Sequence, residues 1–315
     1  MIMLGNNTCV DNQLKTESVA CDLCGANDYQ VLFKGKDRLH HVPGIFPVVQ
    51  CCRCQLVYLN PRPAQDTLDE YYPEDYSPFQ RGKGITQRLQ SWLRVRLARR
   101  IQKTIPLGGR VLEVGCATGD LLVPLRDMGV EVAGIEISQH AAEIARRNYY
   151  LEVHTGTLFD SPYAPNSFDA VVLRHVIEHF PSASQALGRV FSLLKPGGSL
   201  FITTPNLDSL EGKIFGHYWH DLDPPRHLVV FSVATLYRML ENIGFEIRNT
   251  SHHIAPNAWI YSVRNVLTEC FGDGLVQQAL SIYNPFMLLL FSPIGILQKI
   301  LKKSGRIDLL ARKRL

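Results

Sequence analysis

Residues 110–119 read Arg-Val-Leu-Glu-Val-Gly-Cys-Ala-Thr-Gly, an apolar run that stops at a glycine turn. Val111, Leu112 and Val114 have the β-branched, apolar character of a strand buried on both faces. Gly115 and Gly119 follow at once, and an apolar helical stretch starts at Asp120. Strand, glycine turn and helix together form the nucleotide-cradling unit of doubly wound α/β folds. Glycine is needed there because the backbone turns sharply and a ligand approaches it closely. The spacing is G-x-x-x-G with no following Lys-Ser/Thr, which argues against both a dinucleotide fingerprint and a phosphate-binding P-loop.

Downstream, VAGIEI (132–137) reads as a second strand with Glu136 at its tip. A carboxylate at that position can accept two hydrogen bonds from a ribose diol. Further strands are predicted near 151–154, 168–173, 199–204 and 245–250, with helices between them. Ser138 and Ser232 are expected as N-caps, and Gly129 and Gly244 lie where C-caps would be. In this order, EVGCATG, GIEIS, FDAVVLRHVIEH and LLKPGGSLFITTPN resemble the class I S-adenosylmethionine-dependent methyltransferases. The resemblance implies a Rossmann-like, seven-stranded, doubly wound α/β domain whose last strand is antiparallel. Arg306–Arg312 (RIDLLAR) is the candidate for that strand, which makes residues 252–304 an apolar helical insertion before it.

The resemblance also implies a cofactor site. Glu113, Gly115 and the backbone of Ala117–Gly119 would line the methionine side, with Cys116 as a small residue within the turn. Glu136 would bind the ribose, Ile137 would pack on the adenine, and Thr157 and Leu158 would reach the adenine edge. The carbonyl of Arg174 would meet the cofactor's amino group. Related sequences often carry Asp where Thr157 stands, so this chain departs from that pattern at the adenine edge.

Upstream, Cys21-Asp-Leu-Cys24 and Cys51-Cys-Arg-Cys54 are two C-x-x-C knuckles. Each places two thiolates on one side of a tight turn, and two such turns close a tetrahedron around zinc at about 2.3 Å per bond. Strand-like YQVLFKG and FPVVQ lie between them, so residues 19–60 read as a zinc-ribbon-like module with Cys21, Cys24, Cys51 and Cys54 as ligands. A closed four-thiolate site has no open position and is expected to be structural, with iron as the alternative metal. Gly25 and Gln55 follow the knuckles where a ribbon turn needs positive φ, and Cys52 is a spare thiol. Many methyltransferases of bacterial small-molecule and polysaccharide pathways resemble this chain here too, on CDLCG, CCRCQLVYLNPRP and EYYPEDY.

The remaining organisation follows from composition. The 315 residues are 46% hydrophobic and 20% charged with a net charge of +4, which fits a globular protein without a polyanion partner. Residues 1–18 are expected to be flexible, 61–84 to be a proline-punctuated linker, 85–251 the cofactor-binding domain, and 305–315 its last strand. The N-terminus lacks the apolar run of a secretory signal, so a reducing, cytoplasmic setting is expected, with cysteines free or metal-bound. Ile85, Leu89, Trp92, Leu93, Leu97, Ile101 and Ile105 recur at helical spacing, predicting an amphipathic helix over 85–104. No acidic residue occurs from Tyr76 to Leu112. That basic run reads as a solvated helix face or as a contact for an anionic substrate or membrane. Gly274–Gln298 is free of charge and is followed by Lys299, Lys302 and Lys303. Residues 274–303 thus serve as an active-site cover, a homodimer interface or a peripheral membrane contact.

Methyl transfer needs alignment and, for a hydroxyl acceptor, a base. His227, His220 and His179 are the candidates, in that order, from their positions after the fourth and fifth strands. The expected substrate is a small molecule, glycan or lipid-linked intermediate. The alternatives are a zinc protein that binds nucleic acid or protein with a degenerate cofactor domain, or a nucleotide-dependent oxidoreductase. The intact Glu136 and glycine turn argue against the first, and the absence of an aromatic-basic RNA module argues against a nucleic-acid partner.

Overall fold

The computed structural model describes residues 15–72, 85–272, 276, 280 and 284–315. The expectations for residues 1–14, 73–84 and most of 273–283 lie outside the described residues. The N-terminal part contributes β1 (Thr16–Glu17), β2 (Tyr29–Gly35), β3 (Phe46–Cys51), β4 (Val57–Leu59) and β5 (Arg62–Pro63). Helix α1 (Ile85–Gln102) leads into the central sheet, whose first strand β6 (Arg110–Val114) is the run read first. There follow α2 (Leu122–Asp127), β7 (Glu131–Glu136), α3 (Gln139–Tyr149), β8 (Glu152–Thr155), β9 (Phe168–Arg174), α4 (Ala183–Leu193) and β10 (Leu194–Pro205). The C-terminal third holds α5 (Leu210–Phe215), β11 (Val229–Val230), α6 (Val233–Ile243), β12 (Phe245–His252), α7 (Pro256–Phe271), α8 (Pro285–Ile300) and β13 (Arg306–Lys313).

Seven strands form one sheet in the order β12-β13-β10-β9-β6-β7-β8. β10, β9, β6, β7 and β8 run parallel, and β13 enters antiparallel between β12 and β10. This is the doubly wound α/β sheet with a reversed last strand. Val111, Leu112, Val171, Val172 and Leu173 are fully buried, as continuous β-branched and leucine runs require between two helical layers. In β13 the alternation of Ile307, Leu309 and Ala311, all buried, with half-exposed neighbours fixes the register of the strand. Ser138 caps α3 by accepting from Ala141 N, and Ser232 forms a capping box with Thr235 at α6. Gly244 ends α6 in the left-handed region at φ 111°. β10 begins five residues earlier than its apolar run because Leu194 already pairs with Phe168 across a bulge.

The cysteine-rich segment is not a closed unit. Its sheet runs β11-β4-β3-β2, so Val229 and Val230, from the loop after α5, complete it by pairing with Tyr58 and Val57. The apolar cluster beneath it joins Phe46, Val48, Val57 and Leu59 to Tyr71, Trp219, Leu222 and Leu228. Residues 61–72, expected as linker, instead supply β5 and a 3-10 turn at Gln65–Tyr71 whose Tyr71 is buried. The Asp22 carboxylate accepts from Ser184 N at 2.9 Å and from Ser182 Oγ at 2.7 Å, fastening the first knuckle to the start of α4.

Two expectations for helices are modified. α1 buries Ala98 and Ile101, but Leu89, Trp92 and Leu93 remain at least half exposed. Only its second half meets the core, so helical periodicity overstated its burial. Among its described residues the insertion holds α7 and α8 packed together, with Trp259 Nε1 donating to Gln298 Oε1 at 2.9 Å. On the outer side of α8, Phe286, Leu289, Leu290, Ile296, Leu297 and Ile300 form a stripe, each 47–72% exposed. Among the described residues no helix is long and apolar enough to cross a membrane.

Candidate active site and metal centre

The ends of β6 and β7 build the first part of the site. Gly115 (φ 69°) and Cys116 both donate their N–H to the Ile135 carbonyl, which closes the turn against β7. A Cβ on Gly115 would stand 2.5 Å from Val176, and one on Gly119 (φ 80°) 2.3 Å from Leu151, so both positions exclude a side chain. Cys116 turns its thiol into the core against Gly134, which leaves only its backbone for a ligand. Glu136 is 5% exposed and accepts from Ala117 N at 2.7 Å and from Ser138 N at 2.9 Å. Burial raises its pKa against the pull of these N–H groups. Ile137, just beyond, is 65% exposed.

Glu113 lies under the same turn, and burial pushes its pKa up to about 7 despite the Arg174 guanidinium 3.6 Å away. Its Oε2 has no hydrogen-bond partner among the described residues. A buried carboxylate oxygen left unpaired costs free energy unless a ligand donor satisfies it. An ammonium is the donor that such a group fits best. Leu158 is buried, and the Thr157 hydroxyl accepts from Phe159 N and Asp160 N, so the side chains of both residues are committed to the protein. Asp160, which the sequence reading passed over, brings a carboxylate to this turn by accepting from Thr157 N at 2.8 Å. These residues suit a ligand with an ammonium, a ribose diol and a flat base, and so fit S-adenosylmethionine.

The second part follows β9. His175 takes a left-handed conformation at φ 53° and sets Nδ1 3.4 Å from Glu178 Oε1. Glu178 is fully buried and accepts from Thr204 Oγ1 at 3.1 Å. Burial alone would raise its pKa, but the His175 hydrogen bond and the charges of His175, His227 and His179 hold it at about 2. His227 donates Nδ1–H to the Asp221 carbonyl at 2.8 Å, and His179 donates Nδ1–H to the Arg226 carbonyl at 3.0 Å. Each bond sets the tautomer and leaves Nε2 with its lone pair. The two rings meet edge to face with centroids 4.7 Å apart. Burial, then His227, lowers the pKa of His179 to about 4, so it is neutral near pH 7. Glu178, His179 and His227 bring ligand atoms within 4.8 Å of one another and could hold a divalent ion. His220 does not join this group. Its ring stacks on Tyr261 at 4.3 Å, and its backbone N–H donates to Ser262 Oγ at 3.0 Å.

Arg226, which the sequence reading missed, holds this loop. Its fully buried guanidinium donates to both Asp37 oxygens at 2.8 and 2.9 Å and to Asp223 at 2.9 Å. It thereby joins the cysteine-rich segment to the histidine loop. Arg306 clasps Asp221 through two bonds of 2.8 and 2.9 Å and so steadies the carbonyl that orients His227. The only sequence signal for Arg226 is its place between Pro225 and His227; nothing in the sequence marks Asp37 as its partner.

At the metal centre, Cys21 and Cys54 sulfurs lie 3.3 Å apart and Cys24 and Cys51 sulfurs 3.5 Å apart. All four sulfurs fall within 4.8 Å of one another. A tetrahedral zinc–thiolate site has sulfur–sulfur edges of about 3.8 Å. Gly25 (φ 71°) and Gln55 (φ 66°) take the left-handed conformation that both turns require. Burial of Cys51 is outweighed by backbone N–H groups of Cys54 and Arg53, which bring its pKa down to about 7, while burial and Cys54 push Cys21 up. Four thiolates so close cannot ionise together without a cation, so the donor set fits a soft divalent metal. Cys52 is exposed.

The methyltransferase domain family model matches residues 89–250, just over half of the chain, and the chain belongs to that family. It is 33% identical over 110 residues to a ubiquinone biosynthesis O-methyltransferase of Xanthomonas axonopodis pv. citri, covering 32% of this chain and 45% of that protein. It is 30% identical over 145 residues to a probable S-adenosylmethionine-dependent methyltransferase of Mycolicibacterium smegmatis, covering 45% and 54%. The chain thus spans about half the length of the curated relatives it matches. Among solved structures, a geranyl diphosphate methyltransferase in complex with S-adenosylmethionine aligns with a TM-score of 0.50 at 14% identity, covering 72% of this chain and 86% of that one. A Haloferax volcanii complex of a methyltransferase with its Trm112 activator gives 0.52 at 15% identity, covering 80% and 100%. At such identities these two likenesses speak for the fold alone.

Proposed function

We propose that this protein is an S-adenosylmethionine-dependent methyltransferase acting on a hydroxyl of a small molecule, sugar or lipid-linked acceptor. The observation that carries the reading is the pair of buried carboxylates at the tips of β6 and β7. Glu113 Oε2, which meets no donor among the described residues, would accept from the cofactor's ammonium, and Glu136 would bind its ribose diol. The printed names of the relatives, which include O-methyltransferases, favour an oxygen acceptor. When bound, the cofactor supplies a methyl group already activated on a sulfonium. The protein's task is then to align the acceptor and remove its proton. His227, with Nδ1–H on the Asp221 carbonyl, offers Nε2 as the base. That nitrogen would take up the acceptor's hydroxyl proton, while Glu113 and Glu136 would hold the cofactor that supplies the methyl group. His179 shapes the ring's environment, and His220 positions substrate from its own side of the loop.

The four-cysteine centre holds a structural zinc in this reading, because four thiolates leave no open coordination position. The exposed stripe on α8, with Lys299, Lys302 and Lys303 at its end, is proposed to rest on an anionic membrane surface. Cosedimentation with vesicles containing anionic lipid tests that contact. Retention that Leu289→Ser/Leu297→Ser abolishes supports it, and a concentration-dependent dimer without retention assigns the stripe to self-association instead. The activity itself is tested by transfer of a labelled methyl group from S-adenosylmethionine to panels of quinols, sugars and lipid-linked sugars. Label should enter at least one panel, and at a rate lowered roughly 10²–10⁴-fold with His227→Ala. No transfer to any panel by protein that binds S-adenosylhomocysteine would contradict a hydroxyl acceptor of these classes.

A further inference from the structure

The loop that carries His227 has a second side. There Lys36 and Arg38, which follow β2, face His217 and His220 of the loop and Arg264 and Asn265 of α7 across a shared cleft. Arg38 is fixed in place: Nη1 donates to the His217 carbonyl at 2.9 Å, and the guanidinium lies 4.7 Å over the Tyr218 ring. Its Nε is buried with no hydrogen-bond partner among the described residues. The Arg264 guanidinium lies 4.6 Å over the Tyr261 ring, the same ring on which His220 stacks, and it pairs with no carboxylate among the described residues.

The two carboxylates nearby are engaged. Glu269 lies 2.7 Å from Lys36 and 3.8 Å from Arg38, and Asp223 is bound by Arg226. The cleft therefore presents three cations and an excess of donors, and Arg264 meets no counter-charge among the described residues. Guanidinium groups held over aromatic rings lose little freedom on binding, and their planar fork of donors suits an oxyanion.

The cleft also adjoins the proposed chemistry through the chain. His220 is followed by Asp221, whose carbonyl orients His227. A ligand seated against His220 is thus one residue away from the group that holds the base.

We propose that this cleft binds a phosphate or diphosphate group carried by the methyl acceptor. The assignment of that group to the acceptor rests on the methyltransferase reading, whereas oxyanion binding stands on the cleft alone. The test is calorimetric titration of the full chain with inorganic pyrophosphate, alongside S-adenosylhomocysteine on the same preparation. Pyrophosphate should bind, Arg264→Gln and Lys36→Gln should each weaken it tenfold or more, and both variants should bind S-adenosylhomocysteine like the parent. Pyrophosphate that fails to bind protein competent for S-adenosylhomocysteine overturns the cleft proposal. Binding that neither variant weakens overturns it equally. Protein that binds pyrophosphate in this pattern but not S-adenosylhomocysteine keeps the oxyanion site and overturns its assignment to a methyl acceptor. Competition of pyrophosphate by phosphatidate vesicles assigns the group to a lipid headgroup, and its absence assigns it to a soluble phosphate ester; either result supports the oxyanion site.

Discussion

Glu113 shows how burial sets chemistry at one residue. A carboxyl raised to about 7 is largely protonated below that pH and cannot then pair with an ammonium. Affinity for S-adenosylhomocysteine should therefore increase as pH rises through about 7, and Glu113→Gln should flatten the dependence in calorimetric titrations from pH 6 to 8. An unchanged slope in the variant would remove Glu113 from ammonium binding. His227→Ala should lower turnover by roughly 10²–10⁴ while cofactor affinity holds. Loss of cofactor binding in that variant would mean that His227 organises the loop and does not act as base. The places of both carboxylates at the ends of buried strands were legible in the sequence because apolar runs stop there. The division of the histidines was not. That His220 stacks on Tyr261 while His179 meets His227 depends on the path of a loop without periodicity.

Elements reveal where sequence pattern stops. Two C-x-x-C knuckles were readable because metal chemistry fixes their spacing, and the positive φ of Gly25 and Gln55 follows from the same turns. Elemental analysis should find about one zinc per chain, lost in Cys21→Ser or Cys54→Ser and kept in Cys52→Ser. If Cys52→Ser loses metal and Cys51→Ser keeps it, the ligand set is wrong. The pairing of β11 with β4 was not readable, since two valines give no strand signal by themselves. Nor was the Arg226–Asp37 pair, whose partners lie 189 residues apart. Removing Arg226 would leave Asp37 buried without its counter-charge, a loss of about 3–5 kcal/mol. Denaturant unfolding of Arg226→Met should show a loss of that order, and parental stability would mean that Asp37 finds another partner.

At the scale of the molecule, the β-branched strand runs and the glycine turn marked the parallel strands, whereas the seven-stranded sheet with its reversed last strand followed from the resemblance of the motifs in order. What stayed hidden was the joining of the cysteine-rich segment to that sheet through Asp22, Arg226 and the 3-10 turn ending at Tyr71. These links depend on long-range polar contacts. Buried titratable groups near the same loop make stability pH-dependent in opposing directions. His179 and His220 are depressed to about 4 by burial, so the unfolded chain takes up their protons first and stability drops as pH falls from about 6.5 to 4. Glu113 and Glu211, raised by burial to about 7 and 8, act the other way as pH rises above about 4.5. The clean readout is therefore a difference. The melting temperature of His179→Gln minus that of the parent should rise as pH is lowered from 6.5 to 4. A constant difference would show that His179 titrates normally in the folded protein.

The most direct measurement of the central claim is calorimetric titration of the parent protein and Glu136→Ala with S-adenosylhomocysteine. The parent should bind in the micromolar range, about −8 kcal/mol. The variant loses two charge-assisted hydrogen bonds to the ribose and should bind at least tenfold more weakly. Absence of binding by the parent, or equal affinity in the variant, would contradict a cofactor held at the tips of β6 and β7.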